Sequence, residues 1–168
     1  RQMVAGSGSG GVDRIGGSGT RRLVETAAKR RADGDPVDPA MRQRIVAAYG
    51  EEQIRAWTNQ RVRAGLKAGR PPGPESSVGK VHQGELNQRI QEIAVDLLGA
   101  GATAWMSPAT AYGESLPYEV AGMLRSRANT IEGGTTEVNK NIVGERVLGL
   151  PREPDPYRGG AWQDVPRS

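Results

Sequence analysis

Near the start of the chain, Gly6, Gly8 and Gly11 fall into the pattern G-x-G-x-x-G, which in a dinucleotide-binding unit lets the backbone approach a pyrophosphate. That chemistry needs a buried strand before the loop and a helix after it. Only residues 1–5 stand before Gly6, too few for a strand and its partners, and a Gly/Ser-rich stretch meets the pattern easily by chance. His82, the single histidine, is expected to be a helix-surface or packing residue. No cysteine is present, so disulfides, thiol catalysis and Cys-type zinc sites are excluded, and no clustered ligands predict a metal site. One carboxylate, Glu132, stands just ahead of Gly133, Gly134, Thr135 and Thr136, where the start of a helix stabilises negative charge through its dipole.

The elements that must position these residues read as helices. Met3, Val4, Val12, Ile15, Leu23, Val24 and Ala27 return at three- and four-residue steps once Gly and Ser share their face, predicting a glycine-rich first helix. Each Gly costs a helix up to about 1 kcal/mol relative to Ala, so such a helix needs a closely packed neighbour. A second helix begins at Asp38 as N-cap and Pro39 as first residue and runs to about Gly69, with Met41, Ile45, Tyr49, Ile54, Trp57, Val62 and Leu66 as its apolar stripe. Prolines in GRPPGPE end it. A third helix, from about Glu75 to Leu98, carries the cleanest stripe: Leu86, Ile90, Ile93 and Leu97. Residues 118 to about 131 and 135 to about 148 read as a fourth and a fifth helix. No alternating β-branched run appears, so the fold class is all-α, an antiparallel four-helix bundle over residues 1–150 with an irregular Pro/Gly-rich tail over 151–168.

Composition narrows the partners. Net charge is +4, from 23 Lys and Arg against 19 Asp and Glu, which suits an anionic ligand. Phe is absent and Trp and Tyr number only three and four, so no stacking platform for nucleic acid is expected. The long, proline-rich connection GRPPGPE also departs from a helix-turn-helix, and nucleic acid is not an expected partner. Apolar runs are a few residues long, so no membrane span is expected, and the reading favours a cytoplasmic protein. The chain begins with Arg1, which suggests a piece of something longer.

Residues 125–151, RSRANTIEGGTTEVNKNIVGERVLGLP, resemble the end of the C-terminal helical domain of acyl-CoA dehydrogenases, whose pattern is a basic helix, a turn ending in E-G-T or G-G-T, and a closing helix ending R-x-L-G-L-P. VDLLGAG, residues 95–101, is similar to that family's A-x-x-x-x-G-G-x-G turn, and DPAMRQRIVAAY, residues 38–49, to its helix with a flavin-contacting Gln. The resemblance implies an FAD-dependent oxidation of acyl-CoA to 2,3-enoyl-CoA, in which a Glu removes the α-proton and hydride leaves the β-carbon for FAD. It implies FAD as cofactor, acyl-CoA as substrate, an electron-transfer flavoprotein or similar acceptor, and a homo- or hetero-tetramer. It also places the glycine-rich helix beside the acyl chain and flavin.

Carried over residue by residue, the resemblance makes Glu132 the candidate base, although counting back two places from Thr135 reaches Gly133. Some members carry the base on the first helix beside an Arg that aligns with Arg1, and a subunit without a base is a third reading; the sequence leaves all three open. Arg1 and Gly133 are the implied substrate contacts. Thr135, Thr136 and Glu137 match the stretch that touches FAD, Leu98, Gly99, Ala100 and Gly101 the turn that meets a neighbouring subunit's FAD, and Gln43 the helix Gln. Arg31 matches an Arg-containing element that is otherwise replaced here by RRADGDPVDP. For the glycines, a helix C-cap is the simpler alternative.

Overall fold

The computed structural model describes residues 19–71, 73–103, 116–152, 154, 157, 159 and 160. The glycine-rich stretch, its G-x-G-x-x-G and Arg1 lie outside these residues. Among the described residues every regular element is helical: α1 (Arg21–Ala32), α2 (Pro39–Lys67), α3 (Glu75–Leu98), a 3-10 turn (Gly99–Ala102), α4 (Tyr118–Ser126), a second 3-10 turn (Arg127–Thr130) and α5 (Thr136–Arg146). The expected all-α class is observed.

Helix starts follow local chemistry. Asp38 accepts a hydrogen bond from the Met41 N–H at 2.9 Å with Pro39 in the first helical place, as the sequence predicts. At α5 the cap is Thr135, whose Oγ1 accepts from the Val138 N–H at 3.2 Å. The expected fourth helix is in two pieces. Ser126 turns its hydroxyl back onto the Met123 carbonyl at 2.7 Å, and the chain tightens into the 3-10 turn that follows.

α3 is the axis of the bundle. Its predicted stripe is buried: Leu86, Ile90 and Ile93 join Ala94 with Leu23 of α1 and Ile45 and Ala48 of α2, while Leu97, Met41 and Ala27 pack at the edge. α2 runs antiparallel to α3, since Arg44 pairs with Asp96 at 2.7 Å near one end while Glu51 meets Arg89 further along. α4 also runs antiparallel, from Glu119 beside Leu97 and Leu98 to Arg127, which pairs with Glu92 at 2.7 Å. α5 is tied to α3 by Lys140 and Glu85 at 2.8 Å, a hydrogen bond that holds the ammonium above its ordinary pKa.

The expected stripe of α2 needs correction. Only Ile45 of its large members is buried; Tyr49, Ile54 and Trp57 are 50%, 53% and 59% exposed. The inward face is instead Ile45, Ala48 and Glu52, the last accepting hydrogen bonds from the Thr20 N–H and hydroxyl. Periodicity saw two apolar faces as one.

Arg55, one turn beyond Glu52, has a buried Nε without a hydrogen-bond partner. Burial pushes its guanidinium below the usual arginine pKa, with the Glu52 charge partly offsetting. A buried donor left unpaired costs about 1–3 kcal/mol, whereas an apolar chain of similar shape does not. Arg55→Met is therefore expected to leave the thermal midpoint unchanged or raise it. A clear drop on thermal unfolding would show that the guanidinium is needed.

Candidate functional site

The residues that carry the expected chemistry gather at two ends of α3. The first group is the turn from the second 3-10 turn into α5, and Asn129 is its hub. Its backbone carbonyl accepts from Lys80 Nζ, its side-chain oxygen accepts from Asn87 Nδ2 at 2.8 Å, and its Nδ2 donates to Glu132 Oε1 at 3.0 Å. Gln88 Nε2 reaches the Thr130 hydroxyl at 3.3 Å, and buried Gln91 donates to Asn87 at 3.3 Å. Together these bonds fasten the turn to α3 through groups whose burial would cost stability if they were unpaired.

Close approach makes this possible. A Cβ on Gly84, within α3, would stand 3.1 Å from the Asn129 carbonyl oxygen. A glycine in a helix interior costs about 1 kcal/mol, and here that cost is offset by the contact it permits. Gly133 and Gly134 have φ of +70° and +94°, so the turn needs residues without a Cβ penalty, and a Cβ on Gly133 would lie 3.3 Å from Lys80 Cε.

Glu132 projects from this turn with both oxygens engaged. Arg125 Nη2 donates to Oε1 at 3.1 Å and to Oε2 at 3.0 Å, and Asn129 adds a third bond. The side chains of Arg125 and Glu132 are each about half exposed. In that setting the pair contributes at most about 1 kcal/mol. Geometrically it closes the turn, tying Glu132 back to the last turn of α4.

Thr135 spends its hydroxyl as the α5 cap, and Thr136 is buried with its hydroxyl directed to the Thr130 carbonyl at 3.5 Å. Glu137 is exposed in the first turn of α5. Asn139, also buried, donates to the Gly134 and Thr135 carbonyls at 3.0 and 2.9 Å. A ligand approaching here meets glycine backbone and the N–H groups that open α5, with the Glu137 carboxylate nearby. Removing the cap with Thr135→Ala is expected to cost about 1 kcal/mol. Urea unfolding measures it, and a variant as stable as the wild type would mean that the cap bond contributes nothing.

The second group lies at the other end of α3. Leu98, Gly99, Ala100 and Gly101 form the exposed corner that opens the first 3-10 turn. The Arg44–Asp96 pair brings the exposed Gln43 on α2 to the same end. Arg31, in the last turn of α1, is exposed there too: α1 runs alongside α3 in the same direction, with Gly19 and Leu23 beside Ile90 and Gln91 and Thr26 beside Leu97 and Leu98. From Gly84 to Leu98 along α3 is about 20 Å. The structure thus places Gln43, Arg31 and residues 98–101 toward one end of α3, brings Glu132, Gly133 and residues 135–137 into one turn, and keeps the two groups apart.

His82 lies partly buried on α3, its Nε2 3.7 Å from a Glu51 carboxylate oxygen. Among the described residues no His, Asp and Glu cluster could hold a metal, and no helix is long and apolar enough to cross a membrane. Sequence reasoning missed Lys80, Gly84, Asn87 and Asn129. The one local signal was Gly84, a glycine inside an amphipathic helix.

Residues 13–148 match the family described as "Acyl-CoA dehydrogenase, C-terminal domain". The chain is similar to a protein named acyl-CoA dehydrogenase IpdE1 from Mycobacterium tuberculosis, 33% identical over an alignment of 137 residues that covers 78% of this chain and 31% of that protein. A protein of the same name from Mycolicibacterium smegmatis is 36% identical over 133 residues, 78% of this chain and 30% of its own. Among solved structures, one titled "Tcur3481-Tcur3483 steroid ACAD" shares the fold with a TM-score of 0.66 at 22% identity, covering 82% of this chain and 35% of that one. The chain spans about a third of the length of these relatives.

Proposed function

This chain belongs to the acyl-CoA dehydrogenase family, as its C-terminal helical domain, and from that premise we propose that it serves an FAD-dependent enzyme that oxidises an acyl-CoA thioester to the 2,3-enoyl-CoA, with residues 1–150 as the helical domain and 151–168 as a tail. The observation that carries the reading is the Gly133–Gly134 turn, bare of side chains and bolted to α3 through Asn129 and Lys80. Such a turn lets a thioester or a planar ring come against the backbone.

The oxidation removes a proton from the α-carbon and a hydride from the β-carbon, and FAD, when bound, supplies the acceptor for that hydride. Of this chain's residues, Gly133, Thr135 and the N–H groups opening α5 would border the flavin and thioester, while Lys80, Asn129 and Asn139 hold that border in place. Glu132 has its oxygens committed to Arg125 and Asn129, and Gly133 offers no side chain. In this reading the α-proton goes to a carboxylate outside the described residues or on a partner subunit, and Glu132 positions the turn. Because the two relatives are named IpdE1 and the similar structure is titled a steroid ACAD, a CoA thioester of a steroid-derived acid is the substrate class we favour. An electron-transfer flavoprotein or a similar acceptor would take up the electrons.

Gln43, Arg31 and the 98–101 corner, about 20 Å away along α3, would face a neighbouring subunit's FAD, which makes the site depend on assembly. The outward face of α2 supports this. Val46, Tyr49, Ile54 and Trp57 are half or more exposed on one side of the helix, with Gln43 beside them. Central aromatic anchors of an interface commonly contribute about 2 kcal/mol or more. Trp57→Asp in the whole protein is therefore expected to shift sedimentation to a smaller species and to release FAD on gel filtration. An unchanged mass with FAD retained would remove the α2 face from the assembly.

A further inference from the structure

A cleft of about 550 Å³ opens where the C-terminal end of α2 meets the N-terminal end of α3, and its lining includes none of the residues of the Gly133 turn. We propose that this cleft is a second ligand site, one that takes a small amphiphile with a carboxylate head and an alkyl body. Its volume lies within the range of small-molecule sites, about 300–1,000 Å³. Val62, Leu66, Pro71 and Val78 line it with apolar surface, and Arg61 and Arg70 supply its charge.

The arginines are the distinguishing feature. Neither forms an ion pair among the described residues. Arg70 is held in place. Its backbone N–H closes the end of α2 by donating to the Gly65 carbonyl at 3.0 Å, and its guanidinium lies over Gly65, with Nε and Nη2 2.9 Å from where a Cβ would stand. A buried glycine on α2 thus makes room for an uncompensated guanidinium at the mouth of an apolar cleft. A planar guanidinium pairs with a carboxylate through two parallel N–H bonds, and the apolar wall takes the chain behind it.

The test is photoaffinity labelling of the whole protein with a diazirine-bearing decanoic acid, mapped by peptide mass spectrometry. Label is expected within residues 58–78. Decanoate should displace it while decanol at the same concentration does not. Loss of charge-assisted bonds in Arg61→Ala with Arg70→Ala should reduce labelling about tenfold or more at an unchanged melting temperature. Arg63→Ala, whose side chain does not line the cleft, should label as the wild type does. Label confined to other residues, equal competition by decanol, or undiminished labelling of the double variant would each overturn the proposal. The decanol comparison needs no variant, so it decides the matter even if the double variant folds poorly. Labelling is read by position, so failure here leaves the reading of the Gly133 turn untouched.

Discussion

Gly84→Leu is expected to destabilise this domain by about 1–3 kcal/mol, the cost of forcing extra volume into a closed contact. The new side chain would start 3.1 Å from the Asn129 carbonyl oxygen and continue into the space where Lys80 Nζ and Asn87 Nδ2 now meet Asn129. The turn can accommodate it only by lifting off α3, which would leave these partners short of hydrogen bonds. Gly84→Ala separates the two contributions. It gains about 1 kcal/mol of helix propensity and asks the carbonyl to yield by a few tenths of an ångström, so its net effect is expected to be small. Urea unfolding of both variants reads the difference. If Leu were tolerated as well as Ala, the close approach of α3 to the turn would not be the feature that fixes it.

The case of Gly84 also shows where the sequence was legible. The α3 stripe, the Asp38 cap with Pro39 and the start of α5 depend on residues a few places apart, and they appear as read. α2 was misread because Tyr49, Ile54 and Trp57 obey the same period as Ile45 yet face outward; period alone does not say which of two apolar faces is inside. The grip of α3 on the turn was invisible because Lys80 and Asn129 are far apart in the chain, and nothing in their types announces a carbonyl contact. In the turn, the family resemblance put Gly133 where a base would stand, and Glu132 proves to be tied to Arg125, a partner seven residues back.

That tie leads to the second large effect. A carboxylate that abstracts the α-proton contributes about 10²–10⁴-fold to the rate, so its amide variant should lose that factor while substrate still binds. We expect this loss for a carboxylate outside the described residues or on the partner subunit. Glu132→Gln keeps a side chain of the same shape and weakens only a half-exposed ion pair, so the turn should hold and the rate should fall by less than about tenfold.

The measurement that tests the central claim most directly is anaerobic reduction of bound FAD in the whole protein on adding acyl-CoA, followed by bleaching of the flavin band. The expected result is reduction by a suitable acyl-CoA thioester, with Glu132→Gln reduced at a rate within about tenfold of the wild type. Failure of straight-chain and steroid-derived thioesters alike to bleach the FAD would contradict the assignment to acyl-CoA oxidation. Bleaching in the wild type with a loss of about 10²–10⁴-fold in Glu132→Gln would contradict the positioning role and make Glu132 the base.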